Sequence, residues 1–417
     1  MTEKLIAVVG MLVMLGIAVL ICPAAHRKHI NLRVVAVGIL LQLTFAFLIL
    51  RTPVNKVFDW ANTAVNELLN FTNKGSGFIF GSLLNMENHG FIFAFQVLPT
   101  IIFFSSLMTV LYYLGVMQLI VNVVAKAMVK TLKTSGSETL SAAANIFVGQ
   151  TEAPLVIKPF VANMTRSELM AVMTGGMATV AGGVMASYVG LLRNDIPGIA
   201  GHLMAASVMS APAALVFAKI MVPETEESET AGENVKLDSE KIDANVIDAA
   251  ARGAGEGLTL ALNVAAMLLA FIALLAMVNA VIGLMGGWVG LPELSLEKIF
   301  GWIFAPLAFL MGVPWQDAGV IGSLLGQKTM LNEFVAYSQL AEMVKPDSGV
   351  QLQAKSEIIA TYALCGFSNL SSIAIQIGGI GGIAPSRRGE LAQLGIRAVI
   401  AGSLACFMTA AIAGILL

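Results

Sequence analysis

From Leu258 to Leu284 the chain runs 27 residues without one charged side chain. A helix of that length is about 40 Å long at 1.5 Å per residue, more than the roughly 30 Å hydrocarbon core of a bilayer. Such a run points to a membrane-spanning helix. The whole chain agrees, with 57% hydrophobic and 12% charged residues, where soluble domains carry about 25% charged. Inside a bilayer every backbone N–H and C=O must be satisfied within the protein. The expected fold class is therefore an all-α membrane protein. A net charge of −2 leaves no footprint for a nucleic-acid partner. Cys22, Cys365 and Cys406 lie in or beside apolar segments, and their number and spacing suit packing better than a disulfide or metal framework.

Eight spans are expected. Leu5–Cys22 reads as an uncleaved first span, because its apolar run is long and no small-residue cleavage site follows. The others are Val34–Leu50, Ile92–Leu114, Glu168–Leu192, Ile199–Val222, Leu258–Leu284, Ile358–Ile383 and Arg397–Leu417. Three further stretches read as amphipathic helices lying in the interface. In Pro53–Phe71 the apolar residues Val54, Val57, Phe58, Ala61, Val65 and Leu68 recur at helical spacing. Gly115–Lys133 sets Lys126, Lys130 and Lys133 on its polar side. Leu294–Val313 is the third. Glu224–Asp248 carries nine acidic residues against Lys236 and Lys241, and reads as a solvated loop.

Two polar knots interrupt this pattern. Residues 137–164 contain Asn145, Gly149, Gln150, Thr151, Glu152 and Pro154, and residues 317–343 contain Gly326, Gln327, Asn332 and Glu333. Each is too long for a loop and too broken for a span, so each is expected to be a re-entrant hairpin. The breaks are expected at Gly149–Pro154 and Gly326–Glu333. Two spans also carry breakers: GGMATVAGG (175–183) and CGFSNLSS (365–372). These two spans are expected to be broken at mid-membrane. Span, interfacial helix, hairpin, broken span, span then occurs twice. The expected division is 1–90 for the first two spans with an interfacial helix, 91–222 for the first repeat, 223–257 for the acidic cytoplasmic loop and 258–417 for the second repeat. Paired interrupted helices are a pointer to a secondary-transporter site. Placing the basic loop His26–Arg33 inside also puts Lys126–Lys133 and Ser386–Arg388 inside. Both termini then lie outside, and the two hairpins enter from opposite sides as inverted repeats.

Glu152 and Glu333 are costly in such surroundings, about 2.5–3.5 kcal/mol each at a bilayer centre on insertion scales. They fit acceptors for a polar solute; the competing account is pairing with Lys158 or Lys328. Asn145, Gln150 and Thr151 can serve an uncharged solute or a cation, or can cap frayed helix ends. Thr179 beside unwound carbonyls suits Na⁺, or else bonds its own helix. Asn369 and Ser372, three residues apart, share a helix face, and with Glu333 they offer partners to vicinal hydroxyls. Phe367 adds an apolar edge.

GQTEAP, NEFVAY, CGFSNLSS and SAAANIFVGQ, together with Phe91–Met117, Asn245–Ala254 and Trp302–Trp315, resemble the concentrative nucleoside transporters nearly end to end. The likeness is strongest to the short bacterial branch. The resemblance implies a homotrimer of eight-span protomers in the inner membrane, with spans three and six as a scaffold and the hairpins and broken helices in a domain that moves like an elevator. It implies that Gly149, Gln150, Thr151, Glu152 and Val184 meet the nucleobase. Glu333, Asn369 and Ser372 would bind the ribose hydroxyls, with Phe367 lining the site. Asn145 and Thr179 by side chain, and Val148 and Val180 by backbone carbonyl, would hold a coupling Na⁺. Thr179 stands where relatives carry Ser, and the hydroxyl is kept. The substrate implied is a uridine-like nucleoside. Proton coupling is the nearest alternative; a channel or a membrane-embedded enzyme is the competitor from another class.

Overall fold

The computed structural model describes residues 2–53, 55–89, 92–231, 235, 243–288, 290–291, 293–346 and 348–416. Expectations that fall on Val54, the Val57 side chain, Phe91, Lys236, Lys241 and Leu417 lie outside the described residues. The described regular elements are all helical. Among the described residues, seven helices are long and apolar enough to cross a membrane: Glu3–Ile21, Leu32–Arg51, Phe93–Tyr113, Arg166–Leu192, Ile199–Met221, Val246–Trp288 and Pro385–Leu416. The eighth expected span is two shorter helices, Ala354–Leu364 and Leu370–Ile383, with the chain unwound between them.

All three stretches read as amphipathic are helical. Val116–Leu132 buries Val121, Ala125, Met128 and Leu132 and exposes Lys126 and Lys130. Asn55–Phe80 runs past the expected end at Phe71. Leu296–Leu310 turns through 117° into Trp315–Met330. The turn uses Gly312 at φ +90°, which L side chains rarely adopt, and Pro314 immediately before the new helix. The two helices then press backbone on backbone: a Cβ on Gly322 would come within 2.6 Å of the Ala305 nitrogen, and one on Gly301 within 2.9 Å of the Gly319 carbonyl. Small residues of this kind let membrane helices approach closely.

The second hairpin is Trp315–Met330 and Glu333–Met343, and its break is only Leu331–Asn332. The expected break began too early. Gly326 is inside the first arm, where a Cβ would strike the Phe300 ring. It is a packing glycine, and the Gly326–Gln327 pair does not match the hairpin tip at Gly149–Gln150.

Burial divides the helices into two classes. Within the most apolar stretch of each helix, 89% of Ile199–Met221 and 83% of Pro385–Leu416 is buried, against 11% of Val246–Trp288. Val246–Trp288 also starts twelve residues before the expected Leu258. It lies along Leu98–Tyr113, so closely that a Cβ added to Gly253 or Gly257 would lie 2.8 Å from the Cα of Ser106 or Ile102.

The acidic loop is not simply solvated over its described part. Glu224 accepts from Thr165 at 2.8 Å and pairs with Lys219 at 3.3 Å. Ser228 donates to Glu168 at 2.5 Å, and Thr230, itself buried, accepts from the Gly136 amide at 3.0 Å. Beneath the loop Lys219 and Glu138 form an ion pair at 2.7 Å, with 7% and 1% of their surfaces exposed. Removing one partner of a buried pair strands the other charge, at a cost of about 3–5 kcal/mol. Lys219→Ala is expected to lower the thermal unfolding midpoint in detergent markedly. The double variant Lys219→Met with Glu138→Leu strands neither member of the buried pair, leaving only the partly exposed Glu224 without its lysine, and should recover much of that loss.

Candidate functional site

The two broken helices meet at their breaks. Arg166–Ala178 ends at Thr179, whose backbone is extended (φ −123°, ψ 172°), and the chain resumes as Gly182–Leu192. Ala354–Leu364 ends at Cys365 and resumes at Leu370. The Phe367 amide donates to the Thr179 carbonyl at 3.3 Å. Gly366 sits at φ +103°, and a Cβ there would lie 2.8 Å from the Ala178 carbonyl. Only glycine satisfies both demands. The Cys406 thiol lies within hydrogen-bonding reach of both the Cys365 and the Ala178 carbonyls, and its one S–H can donate to either.

Glu333 is the first residue of Glu333–Met343, and Asn332 caps that helix by accepting from the Val335 amide at 2.9 Å. The residue is 5% exposed. It accepts from the Tyr188 hydroxyl at 3.0 Å and from the Asn369 side-chain amide at 2.8 Å. Asn369 in turn caps Leu370–Ile383, its carbonyl oxygen accepting from the Ser372 amide at 2.9 Å and the Ser371 hydroxyl at 2.6 Å. Two helix N-termini thus converge on one acid, which favours its negative charge. Pairing with Lys328 is not what holds Glu333. Lys328 donates instead to the Ala363 and Cys365 carbonyls, at 2.8 and 3.3 Å.

The first hairpin reaches the same place. Its arm Gly136–Ala144 gives way to an irregular tip, then to the short helices Ala153–Val156 and Lys158–Val161. Gln150, buried at the tip, donates to the Ser372 hydroxyl at 3.1 Å. Its own carbonyl oxygen accepts from Gln376 at 3.1 Å, and Gln376 also donates to the Met173 carbonyl at 3.0 Å. Gly149 leaves room for the Glu152 carboxylate, and Gly379 for the Thr151 side chain. Glu152 is exposed and makes no ion pair with Lys158 among the described residues. Val184 is buried one turn from Tyr188 on the same helix face, and Phe367 is half-buried.

Asn145 and Thr179 converge on Gly175. Thr179 donates to the Gly175 carbonyl at 3.0 Å, bonding its own helix. The Asn145 amide nitrogen lies 3.3 Å from where a Gly175 Cβ would be and donates to Ser141 at 3.1 Å. Asn145 is wholly buried and its carbonyl oxygen has no hydrogen-bond partner. Val148 and Val180 are buried beside it in sequence and at the break. The described residues hold no cluster of three or more His, Cys, Asp or Glu suited to a metal. The oxygens gathered here are neutral amide, hydroxyl and carbonyl, a set that suits a hard cation of low charge.

Of the predicted residues, Glu333, Asn369, Ser372 and Gln150 form one bonded chain, and Asn145 and Thr179 form a second group. Tyr188 and Gln376 belong to the first chain and went unread. Each bonds a residue more than 140 positions away, and neither has a local signal beyond being polar in an apolar helix.

Crossed broken helices with two hairpin tips closing on a buried acid are the architecture of a membrane transporter. Family models match almost the whole chain: Na⁺ dependent nucleoside transporter N-terminus on residues 9–83, nucleoside recognition on 94–194, and Na⁺ dependent nucleoside transporter C-terminus on 202–414. An uncharacterized transporter of Haemophilus influenzae is 50% identical over 412 residues, covering 98% of this chain and 97% of its own. Sodium/nucleoside cotransporter 1 of Rattus norvegicus is 43% identical over 427 residues, covering 99% of this chain and 64% of its own. A structure of CNTnw in an inward-facing substrate-bound state superposes with TM-score 0.93 at 48% identity, covering 99% of this chain and 98% of that one. The chain belongs to the Na⁺-dependent concentrative nucleoside transporter family, and is a transporter rather than an enzyme.

Tyr188→Phe removes one hydrogen bond to the Glu333 carboxylate, worth about 1.5–3 kcal/mol. Nucleoside affinity measured by calorimetry on the purified protein should fall about tenfold or more. The thermal midpoint should fall by no more than that bond is worth, since the ring still stacks on Tyr337 at 4.3 Å.

Proposed function

We propose that this protein is a Na⁺/nucleoside symporter that takes up uridine-like nucleosides by alternating access of the elevator type. The chain of bonds running Tyr188–Glu333–Asn369 and Gln150–Ser372 carries the reading. It joins both hairpin tips to one break with donors and acceptors and no positive charge. A nucleoside is uncharged and rich in hydroxyl and amide groups, and such a site can replace its water.

In this reading Glu333, Asn369 and Ser372 bind the ribose hydroxyls beside Phe367. Gly149, Gln150, Thr151, Glu152 and Val184 meet the base. The partnerless oxygen of Asn145, the Thr179 hydroxyl and the Val148 and Val180 carbonyls bind Na⁺. That ion would order the first hairpin tip, which carries Gln150, and so raise nucleoside affinity. By linkage the nucleoside raises Na⁺ affinity equally.

The elevator reading is supported by the contrast in burial. Arg166–Leu192, Ile199–Met221 and Pro385–Leu416 form a packed interior. Val246–Trp288, with Leu98–Tyr113 along it, presents Leu262, Leu269, Ile272, Met277 and Leu284 outward. Such a face suits lipid on one side and copies of the chain on the other, consistent with a homotrimer. Placing the short basic loops in the cytoplasm supports an orientation with both termini outside, and a bacterial inner membrane is proposed with it.

The test is uridine uptake into proteoliposomes under an inward Na⁺ gradient, a proton gradient alone, or neither. Uptake is expected only with Na⁺, and unlabelled nucleosides should block it where free bases do not. Asn145→Ala should raise the Na⁺ concentration for half-maximal uridine binding about tenfold. Uptake driven by protons alone would overturn the ion assignment; no uptake under any gradient by folded protein would overturn the substrate.

A further inference from the structure

A cavity of about 270 Å³ lies beside the basic loop His26–Arg33. Helix ends surround it. Thr2–Ile21 finishes just before Pro23, Arg166–Ala178 begins at Arg166, and Ile199–Met221 finishes just before Val222, and all of these border the cavity. The remaining wall holds Arg397, from Arg388–Leu416. Only uncharged residues follow Arg397 to the end at Leu417. Leu5 to Ala25 is also free of charge, and that run stops at His26, which lines the cavity. Apolar runs thus halt here from several directions. Their common limit is the depth at which the hydrocarbon core gives way to headgroups.

The lining is cationic, with His26, Arg166 and Arg397 around one space. The acids nearby are already engaged. Glu390 pairs with Arg166 at 3.6 Å. Glu224 is next to the lining residue Thr225, but it accepts from Thr165 at 2.8 Å and pairs with Lys219 at 3.3 Å. Arg27, beside His26, donates to the Cys22 and Leu20 carbonyls, both at 3.1 Å. Arg397 has no such partner. It is half-buried, and among the described residues it makes no ion pair and no side-chain hydrogen bond.

A guanidinium held at this depth with its N–H donors unspent matches phosphate, because its planar fork can meet two oxygens at once. We propose that the cavity binds a phosphate-bearing anion, with Arg397 as the main contact and Arg166 and His26 at its sides. Water takes up about 30 Å³ per molecule in the liquid, so the space admits a phosphate and a small substituent. An anionic phospholipid brings its phosphate to this level and can run its acyl chains along the charge-free helix faces. A free phosphate offers the same chemistry without the chains. The site is separate from the solute site: Arg166 and the break at Thr179 are at opposite ends of one helix, roughly 20 Å apart at 1.5 Å per residue.

The test uses the purified protein in uncharged detergent at fixed ionic strength. Dioctanoyl phosphatidylglycerol, dioctanoyl phosphatidylcholine and inorganic phosphate are each titrated, and the thermal unfolding midpoint is followed. Phosphatidylglycerol is expected to raise the midpoint saturably. Phosphatidylcholine, whose headgroup has no net charge, should need at least about tenfold more lipid for the same shift. Arg397→Gln should weaken phosphatidylglycerol about tenfold or more, and His26→Ala, a change at an exposed loop position, about threefold. Lys130→Gln removes an exposed charge that does not line the cavity and should leave binding unchanged. Saturation by inorganic phosphate, weakened by the same two variants, would support the site and make its occupant a free anion rather than a lipid. An equal response to both lipids without any to phosphate would overturn the proposal. So would losses in Arg397→Gln and His26→Ala no larger than in Lys130→Gln. If Arg397→Gln does not fold, His26→Ala and the wild-type comparison of the three probes decide.

Discussion

Unwinding a helix inside a membrane exposes N–H and C=O groups with no water to satisfy them, and the protein's polar side chains are distributed to meet that need. Asn332 and Asn369 cap the helices that restart after the second hairpin tip and after the second break. Lys328 takes the carbonyls left at Ala363 and Cys365. The Phe367 amide and Thr179 carbonyl satisfy one another across the crossing. Once these needs are met, what remains unpaired is instructive. The Asn145 oxygen is one such group, buried with no partner.

The same groups that stabilise the breaks also build the site. Asn369 spends its oxygen on the helix end and its nitrogen on Glu333. Ser372 has its amide in the cap and its hydroxyl accepting from Gln150. Folding and the proposed binding role therefore share atoms. A substitution at Asn369 would unsettle the helix end together with the carboxylate, so loss of transport there would not by itself identify a ligand contact. Tyr188 is a cleaner probe, because its ring packs independently of its hydroxyl.

Much of this was legible in the sequence. Membrane helices announce themselves by long charge-free runs, and the polar knots stand out against them because buried polar groups are costly. Glu333, Asn369 and Ser372 could be picked out on that ground, and the resemblance to a family supplied their roles. What could not be read depends on contacts between distant segments. Tyr188 reaching Glu333, Gln376 reaching Gln150, and Lys219 reaching Glu138 have no local pattern. Glycines misled for a related reason. Gly149 opens a tip and Gly326 admits the Phe300 ring, yet both look alike in a string of letters, since a missing side chain serves tight turns and tight packing equally. The start of the long helix at Val246 was missed because its first turns are polar enough to pass for loop.

That helix has a consequence for the membrane around it. From Gly257 to Trp288 it carries no charged side chain, an apolar rod about 48 Å long at 1.5 Å per residue. A hydrocarbon layer about 30 Å thick accommodates such a rod by steep inclination or by thickening locally. If inclination alone absorbs the excess, the two ends are offset by about 37 Å in the membrane plane, by the same lengths. The leaning helix then sweeps a wide footprint, and its slope changes with bilayer thickness. Acyl-chain length becomes a mechanical variable for this protein, acting on the surface against which the buried bundle rests.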